Sequence, residues 1–217
     1  IDSNKRPRYY QDLAITKTLT AIASGDKRIL LTLATGTGKT YIAFQIAFKL
    51  LTAKRSASGF NRRPRILFLA DRNILIEQAM NTFNPLEKDL LRVTGKEIKK
   101  RLGEVPTNAN IFFAIYQAIV SWSDEDTDTG VEIVDTTTSG GYYTRYDPDF
   151  FDLIIIDECH RGGANQEWNW FAILDYFKSA VQVGMTATPK RQDNSDTYGY
   201  FWDPVYEYSL KEGINDW

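Results

Sequence analysis

The 217-residue sequence holds one cysteine, Cys159, and one histidine, His160. A single thiol excludes an internal disulfide and fits a reducing compartment. Without a Cys/His cluster no zinc site is in view. No run of ~18 apolar residues is present, so no transmembrane helix is expected. The opening residues, Ile1-Asp2-Ser3-Asn4-Lys5-Arg6, lack the apolar core of a secretory signal. They also lack an initiator Met, so a piece of a longer protein is expected. Cytoplasmic residence without membrane contact follows as the working expectation.

Charge of one sign is also missing. The formal net charge is −2, so any nucleic-acid contact must come from local patches. Lys54, Arg55, Arg62, Arg63 and Arg65 form one basic stretch, and Lys96, Lys99, Lys100 and Arg101 another. Asp124, Glu125, Asp126 and Asp128 form an acidic one. Taken alone, each reads as a solvated face. With 43% hydrophobic and 25% charged residues, the chain can bury its own core without a covalent or metal staple.

What is present is an alternation of apolar runs and helical periods. Short apolar runs at Arg28–Leu33, Arg65–Ala70, Asn110–Ile115, Asp152–Asp157 and Val181–Met185 read as buried strands. Helical spacing is seen at Tyr10–Ala23 (through Leu13, Ile15, Leu19 and Ile22), Lys39–Ala53, Arg72–Phe83 and Trp168–Phe177. Strands alternating with helices predict an α/β fold, a mainly parallel sheet with helices on both faces, because parallel neighbours need crossover connections. Trp122 to Pro148 is too long for a structureless connection. A β-hairpin is expected inside it, Val131–Thr136 against Tyr142–Tyr146. Phe201–Tyr208 reads as a short edge strand limited by Pro204. No linker is visible, so residues 1–217 are expected to form one domain.

Ala34-Thr35-Gly36-Thr37-Gly38-Lys39-Thr40 joins the first strand to a helix. Gly36 and Gly38 let the backbone turn so that successive N–H groups, those of Thr35 and Thr37 among them, face a phosphate. The following helix aims its positive end at the same anion. Lys39 supplies a charge to the β- and γ-phosphates, and the Thr40 hydroxyl suits Mg²⁺. The strict form of this loop asks for glycine where Leu33 stands. The strand Phe151–Asp157 ends in Asp157 and Glu158. In an open parallel sheet it would end at the same rim as the phosphate loop. There Asp157 can hold Mg²⁺ through water and Glu158 can polarise an attacking water.

Asp157-Glu158-Cys159-His160 followed by Thr186-Ala187-Thr188-Pro189 resembles motifs II and III of superfamily 2 helicases and translocases. Leu33 is no defect in that superfamily, whose phosphate loop commonly lacks the first glycine. Arg8-Tyr9-Tyr10-Gln11 resembles its glutamine motif, which implies that Gln11 reads an adenine edge with help from Arg8 or an aromatic neighbour. The segments at 33–40, 68–75, 111–119, 151–163, 168–177, 184–189 and 201–214 are similar to the restriction (motor) subunit of type I restriction-modification enzymes. That likeness implies a RecA-like P-loop NTPase lobe, the first of two. It implies ATP and Mg²⁺ as cofactors, double-stranded DNA as track, and specificity and methyltransferase subunits as partners. The second lobe and a nuclease domain are absent from these residues, so the piece alone is expected to hydrolyse ATP poorly, with a deficit of about 10³ or more in rate.

The same resemblance implies roles beyond the ATP site. His160 is expected to link Glu158 to Thr186 and Thr188. Arg72, Lys96 and Tyr116 are expected to contact the DNA backbone, largely without regard to sequence. The aromatic group Trp168, Trp170, Phe171, Tyr176 and Phe177 is expected to be core rather than a stacking surface. Two alternatives stay open: another superfamily 2 DNA helicase of repair or transcription, and a P-loop ATPase or GTPase that never touches nucleic acid. A GTPase should carry an N-K-x-D guanine reader, and Asn4-Lys5-Arg6-Pro7 is not one.

Overall fold

A computed structural model of the chain describes residues 6–54, 62–120, 141–159, 167–187 and 197–209; for Gln117 and residues 167–170 the backbone alone is described. Among the described residues seven strands form one sheet: β1 (Arg28–Leu33), β2 (Ile66–Ala70), β3 (Leu90–Arg92), β4 (Ile111–Ile115), β5 (Leu153–Asp157), β6 (Val181–Thr186) and β7 (Tyr206–Tyr208). Their spatial order is β3-β4-β2-β5-β6-β1-β7. Every pairing is parallel. The carboxyl ends of the strands therefore share one rim.

The five expected strands form within a residue of their predicted bounds. Every residue of β2, β4, β5 and β6 is buried, which is why they read as unbroken apolar runs rather than as alternation. Successive residues still face opposite ways. Ile66, Phe68 and Ala70 join one core with Ile111, Phe113, Leu153 and Ile155. Leu67 and Leu69 join a second core with Phe112, Ala114, Ile154 and Ile156.

Helices α1 (Tyr9–Ser24), α2 (Lys39–Ala53) and α3 (Asn73–Thr82) cover the first core. α1 turns inward most of the stripe its large apolar residues marked: Ile15 is buried, and Leu19 and Ile22 pack partly buried against the first core. Leu13 is 44% exposed, whereas Ala14, Thr18 and Ala21 are buried. These small side chains, three to four apart, allow close approach of α2. Gly25, at φ +96°, ends the helix in the left-handed region.

The second core lies under α4 (Gly95–Lys100), α5 (Tyr116–Val120), α6 (Glu167–Tyr176) and α7 (Thr197–Phe201). It is rich in rings. Phe112 meets Tyr146, Phe150 and Phe151 at 5.4–6.3 Å between centroids, and Phe151 meets Phe177 at 5.1 Å. Phe177 is fully buried, and Phe171 and Tyr176 pack at its margin, as expected of core. The side chains of Trp168 and Trp170 lie outside the described residues.

The hairpin expectation needs correction. Tyr142–Arg145 is a 3-10 turn, not a strand. Tyr142 and Tyr143 are buried in the second core, so the aromatic residues that favoured a strand serve as packing instead. Its other arm, Val131–Thr136, lies outside the described residues. β3 was not foreseen, nor were α4, α5 and α7. The edge strand at the end of the chain is confined to Tyr206–Tyr208, parallel to β1.

Three arginines of the first basic stretch, near the amino ends of the strands, make structural contacts. Arg62 forms a two-pronged pair with Asp152 at 2.8 and 3.2 Å, and Arg63 does so with Asp89 at 2.8 and 2.7 Å. The Arg65 guanidinium lies 4.2 Å from the centre of the Phe150 ring. These contacts tie the start of β2 to the starts of β5 and β3, at the rim opposite the phosphate loop.

Candidate ATP site at the carboxyl rim

The loop after β1 is held from three sides. Ala34 N–H donates to Tyr208 O of β7 at 3.0 Å. The Thr37 hydroxyl donates to Ala34 O at 2.7 Å. The Gln11 side-chain amide donates to Thr37 O at 2.8 Å, while its own carbonyl accepts from Arg8 N–H at 2.9 Å. Gln11 thus fastens the start of α1 to the loop. Tyr10 stacks on Tyr208 at 4.2 Å, which seats α1 on β7.

Gly36 and Gly38 have φ of +82° and +83°. Each is in the left-handed region, where a side chain is strained. A Cβ on Gly38 would also stand 2.7 Å from the Gln11 amide nitrogen. Thr35 and Gly36 are open to solvent, and Thr40 is half-buried in the first turn of α2. Lys39, 8% exposed, places its ammonium 3.5 Å from Leu33 O and 3.2 Å from Glu158 Oε1.

Asp157 and Glu158 end β5 at this rim. Burial foremost, and then the Glu158 charge, raise the Asp157 carboxyl to about 6. Glu158 has φ +53°, an uncommon conformation for a residue with a side chain, costing about 1–3 kcal/mol. Its N–H donates to Asp157 Oδ1 at 3.1 Å. Cys159 is buried, and burial holds its thiol far above the ordinary value. It contributes packing between β5 and β6.

The donor set suits a magnesium triphosphate. Two adjacent carboxylates crowded in a buried place are the groups whose repulsion a divalent cation relieves. Among the described residues no group of three or more His, Cys, Asp or Glu side chains forms a ready-made cage.

Two features were missed by sequence reasoning. Asp71, at the end of β2, lies close enough to Asp157 to add to its elevation. The signal was there, since Ile66–Asp71 ends an apolar strand in an acid just as Leu153–Asp157 does. The other concerns Tyr116, where an expectation is corrected. Its side chain is 3% exposed, and its hydroxyl donates to Asp157 O at 3.0 Å. An enclosed ring cannot reach a DNA phosphate.

Arg72, with a 59% exposed side chain 3.6 Å from Asp71, precedes α3 at the end of β2. Lys96 is exposed in the first turn of α4, after β3. Both stand on the rim that carries the phosphate loop. Thr186 is fully buried at the end of β6, in register with Thr32 of β1. His160 and Thr188 lie outside the described residues.

Comparison with known proteins bears on this arrangement. Residues 4–191 match the family described as type III restriction enzyme, res subunit. The chain belongs to this family. Among its relatives is the EcoAI type I restriction endonuclease subunit of Escherichia coli, 46% identical over 215 residues. That alignment covers 99% of this chain and 23% of the relative. A solved fragment of a type I HsdR subunit from Vibrio vulnificus YJ016 is 42% identical, with TM-score 0.70 over 97% of this chain and 32% of that one. The UvsW helicase of bacteriophage T4, 15% identical with TM-score 0.58 over 94% of this chain and 60% of its own, shares the fold alone. The res-family chain thus has the fold of a RecA-like lobe, and it spans about a quarter of the curated relative it matches. Among its described residues no helix is long and apolar enough to cross a membrane.

Proposed function

We propose that residues 1–217 form a single RecA-like, ATP-binding lobe of an ATP-dependent DNA translocase, the motor part of a type I restriction endonuclease subunit acting in the cytoplasm. The observation that carries this reading is the 3.2 Å approach of Lys39 to Glu158, which joins the phosphate loop to the acids ending β5. The Thr35–Gly38 backbone and Lys39 would hold the β- and γ-phosphates, with Gln11 and Arg8 on the adenine side. Thr40 and Asp157 would hold Mg²⁺, which when bound neutralises charge on the phosphates. Glu158 would orient and polarise the attacking water.

Arg72 and Lys96 supply phosphate contacts to duplex DNA. His160, Thr186 and Thr188 would carry the γ-phosphate state to that surface. Choice of DNA site falls to partner specificity and methyltransferase subunits, because contacts of this kind read no sequence. The type I assignment rests on the 46% identity to the EcoAI subunit.

The experiment is steady-state ATPase of the full-length parent with and without duplex DNA. DNA should raise the rate, and Lys39→Ala should abolish it. A parent whose hydrolysis ignores duplex DNA, or a Lys39→Ala variant with undiminished turnover, overturns the reading.

A further inference from the structure

The buried hydroxyl of Tyr116 has no part in the chemistry described above, yet it touches the peptide on which that chemistry turns. In the sheet β4 is separated from β5 by β2. Tyr116, the first residue after β4, reaches past the end of β2 to donate to Asp157 O at 3.0 Å. The carbonyl it grips belongs to the peptide joining Asp157 to Glu158. The N–H of that same peptide donates to Asp157 Oδ1 at 3.1 Å. Both polar edges of one peptide plane are therefore held, one by the ring from β4 and one by the carboxylate of β5.

That plane is the one that needs holding. Glu158 has φ +53°, a setting that a residue with a side chain keeps only where its surroundings over-determine it. Rotating the peptide would swing the Glu158 side chain away from the Lys39 ammonium, which it now meets at 3.2 Å. We propose that Tyr116 is a positioning residue: its hydroxyl fixes the Asp157–Glu158 peptide and thereby the direction of the Glu158 carboxylate. This rests on the reading of Glu158 as the group that orients the attacking water.

The phenol suits the task. It is enclosed, so water does not compete for the carbonyl. Burial first, then the charges of Cys159, Asp71, Asp157 and Glu158, keep it protonated, so it remains a donor throughout the ordinary pH range. Tyr116 also opens α5, so a displacement of that helix would pull on the peptide directly. The residue that looked like a DNA contact is then a link between the β4–α5 turn and hydrolysis.

The test is Tyr116→Phe in the full-length parent, which keeps the ring and removes the donor. Turnover of ATP should fall about tenfold, the size expected for one lost buried hydrogen bond, while KM for ATP stays within about twofold. Amide hydrogen exchange in the peptide spanning 153–159 should quicken several-fold, a readout that does not depend on turnover. Tyr116→Leu, which also removes the ring, calibrates packing loss by its melting temperature. Unchanged turnover and unchanged exchange in Tyr116→Phe overturn the proposal. So does a Phe variant that melts as low as the Leu variant with turnover and KM changing together, because the hydroxyl is then structural. If the wild-type parent's ATPase ignores duplex DNA, the motor reading fails, and the exchange result still decides the role of Tyr116.

Discussion

The Lys39 ammonium lies 3.2 Å from the Glu158 carboxylate, joining two loops that are far apart in sequence. Glu158→Gln keeps the size and loses the charge. In the full-length parent it should still bind a fluorescent ATP analogue, while ATP turnover falls about 10²-fold or more. Turnover within a few-fold of wild type would assign water activation to another group.

Gly38 and Gln11 are coupled. Gly38→Ala meets both a φ of +83° and a 2.7 Å approach to the Gln11 amide. It should lower the melting temperature and weaken nucleotide binding. Adding Gln11→Ala relieves the contact but not the backbone strain. The double variant should therefore be less destabilised than the sum of the singles, by about 0.5 kcal/mol or more. Strict additivity in chemical denaturation would contradict the contact.

Arg62 and Arg63 make similar two-pronged pairs in different surroundings. The Asp152 side chain beside Arg62 is 3% exposed, whereas the pair of Arg63 with Asp89 is 44% and 18% exposed. Arg62→Ala takes the guanidinium from the buried Asp152 carboxylate, to which the Arg65 N–H still donates at 2.8 Å. It should cost about 3 kcal/mol. Arg63→Ala should cost about 1 kcal/mol or less. Equal losses in urea titrations would show that burial does not decide the matter.

Several tyrosines hold their protons above the ordinary value, with burial the leading cause: Tyr116, Tyr143, Tyr146 and Tyr200. The native chain keeps protons that the unfolded chain releases above about pH 10. The stability these phenols confer is therefore complete below that pH and drains away as pH climbs further. Denaturation midpoints should fall between pH 9 and 11, and Tyr116→Phe should flatten the fall. A midpoint steady across that range would mean that the phenols ionise freely in the folded state.

Arg72→Ala and Lys96→Ala test the DNA-facing rim. In the parent motor each should weaken DNA-stimulated ATPase and reduce the salt slope of DNA binding by about one. Variants with an unchanged slope would move the DNA path elsewhere.

The sequence disclosed what local chemistry writes into it. β1 and α2 sit at their expected bounds because an apolar run, a glycine-bearing turn and a helical period follow one another without interruption. The meeting of Lys39, Asp157 and Glu158 at one rim was legible for the same reason, each being at the end or start of a strong element. β3 was not, because Leu90–Arg92 is a half-buried strand of three residues with an arginine, too short and too polar to make a run. Tyr142 and Tyr143 misled because aromatic rings favour strands through the packing a strand offers, and these rings are buried from a 3-10 turn instead. Tyr116 and Gln11 show the remaining limit. Their partners, Asp157 O and Thr37 O, are backbone atoms, and no residue pattern records which carbonyl a side chain will find.

The strand order has a consequence for how the lobe is made. β1 lies between β6 and β7, and both are synthesised long after it. A ribosome must pass residue 181 before Ile29–Leu33 can acquire a strand neighbour, and until then both its backbone edges wait unpaired. Closing so long a loop is slow, and waiting segments of this kind invite clumping. Truncations that stop short of β6 should yield inclusion bodies rather than smaller working lobes, and the nascent chain is a natural client for chaperones.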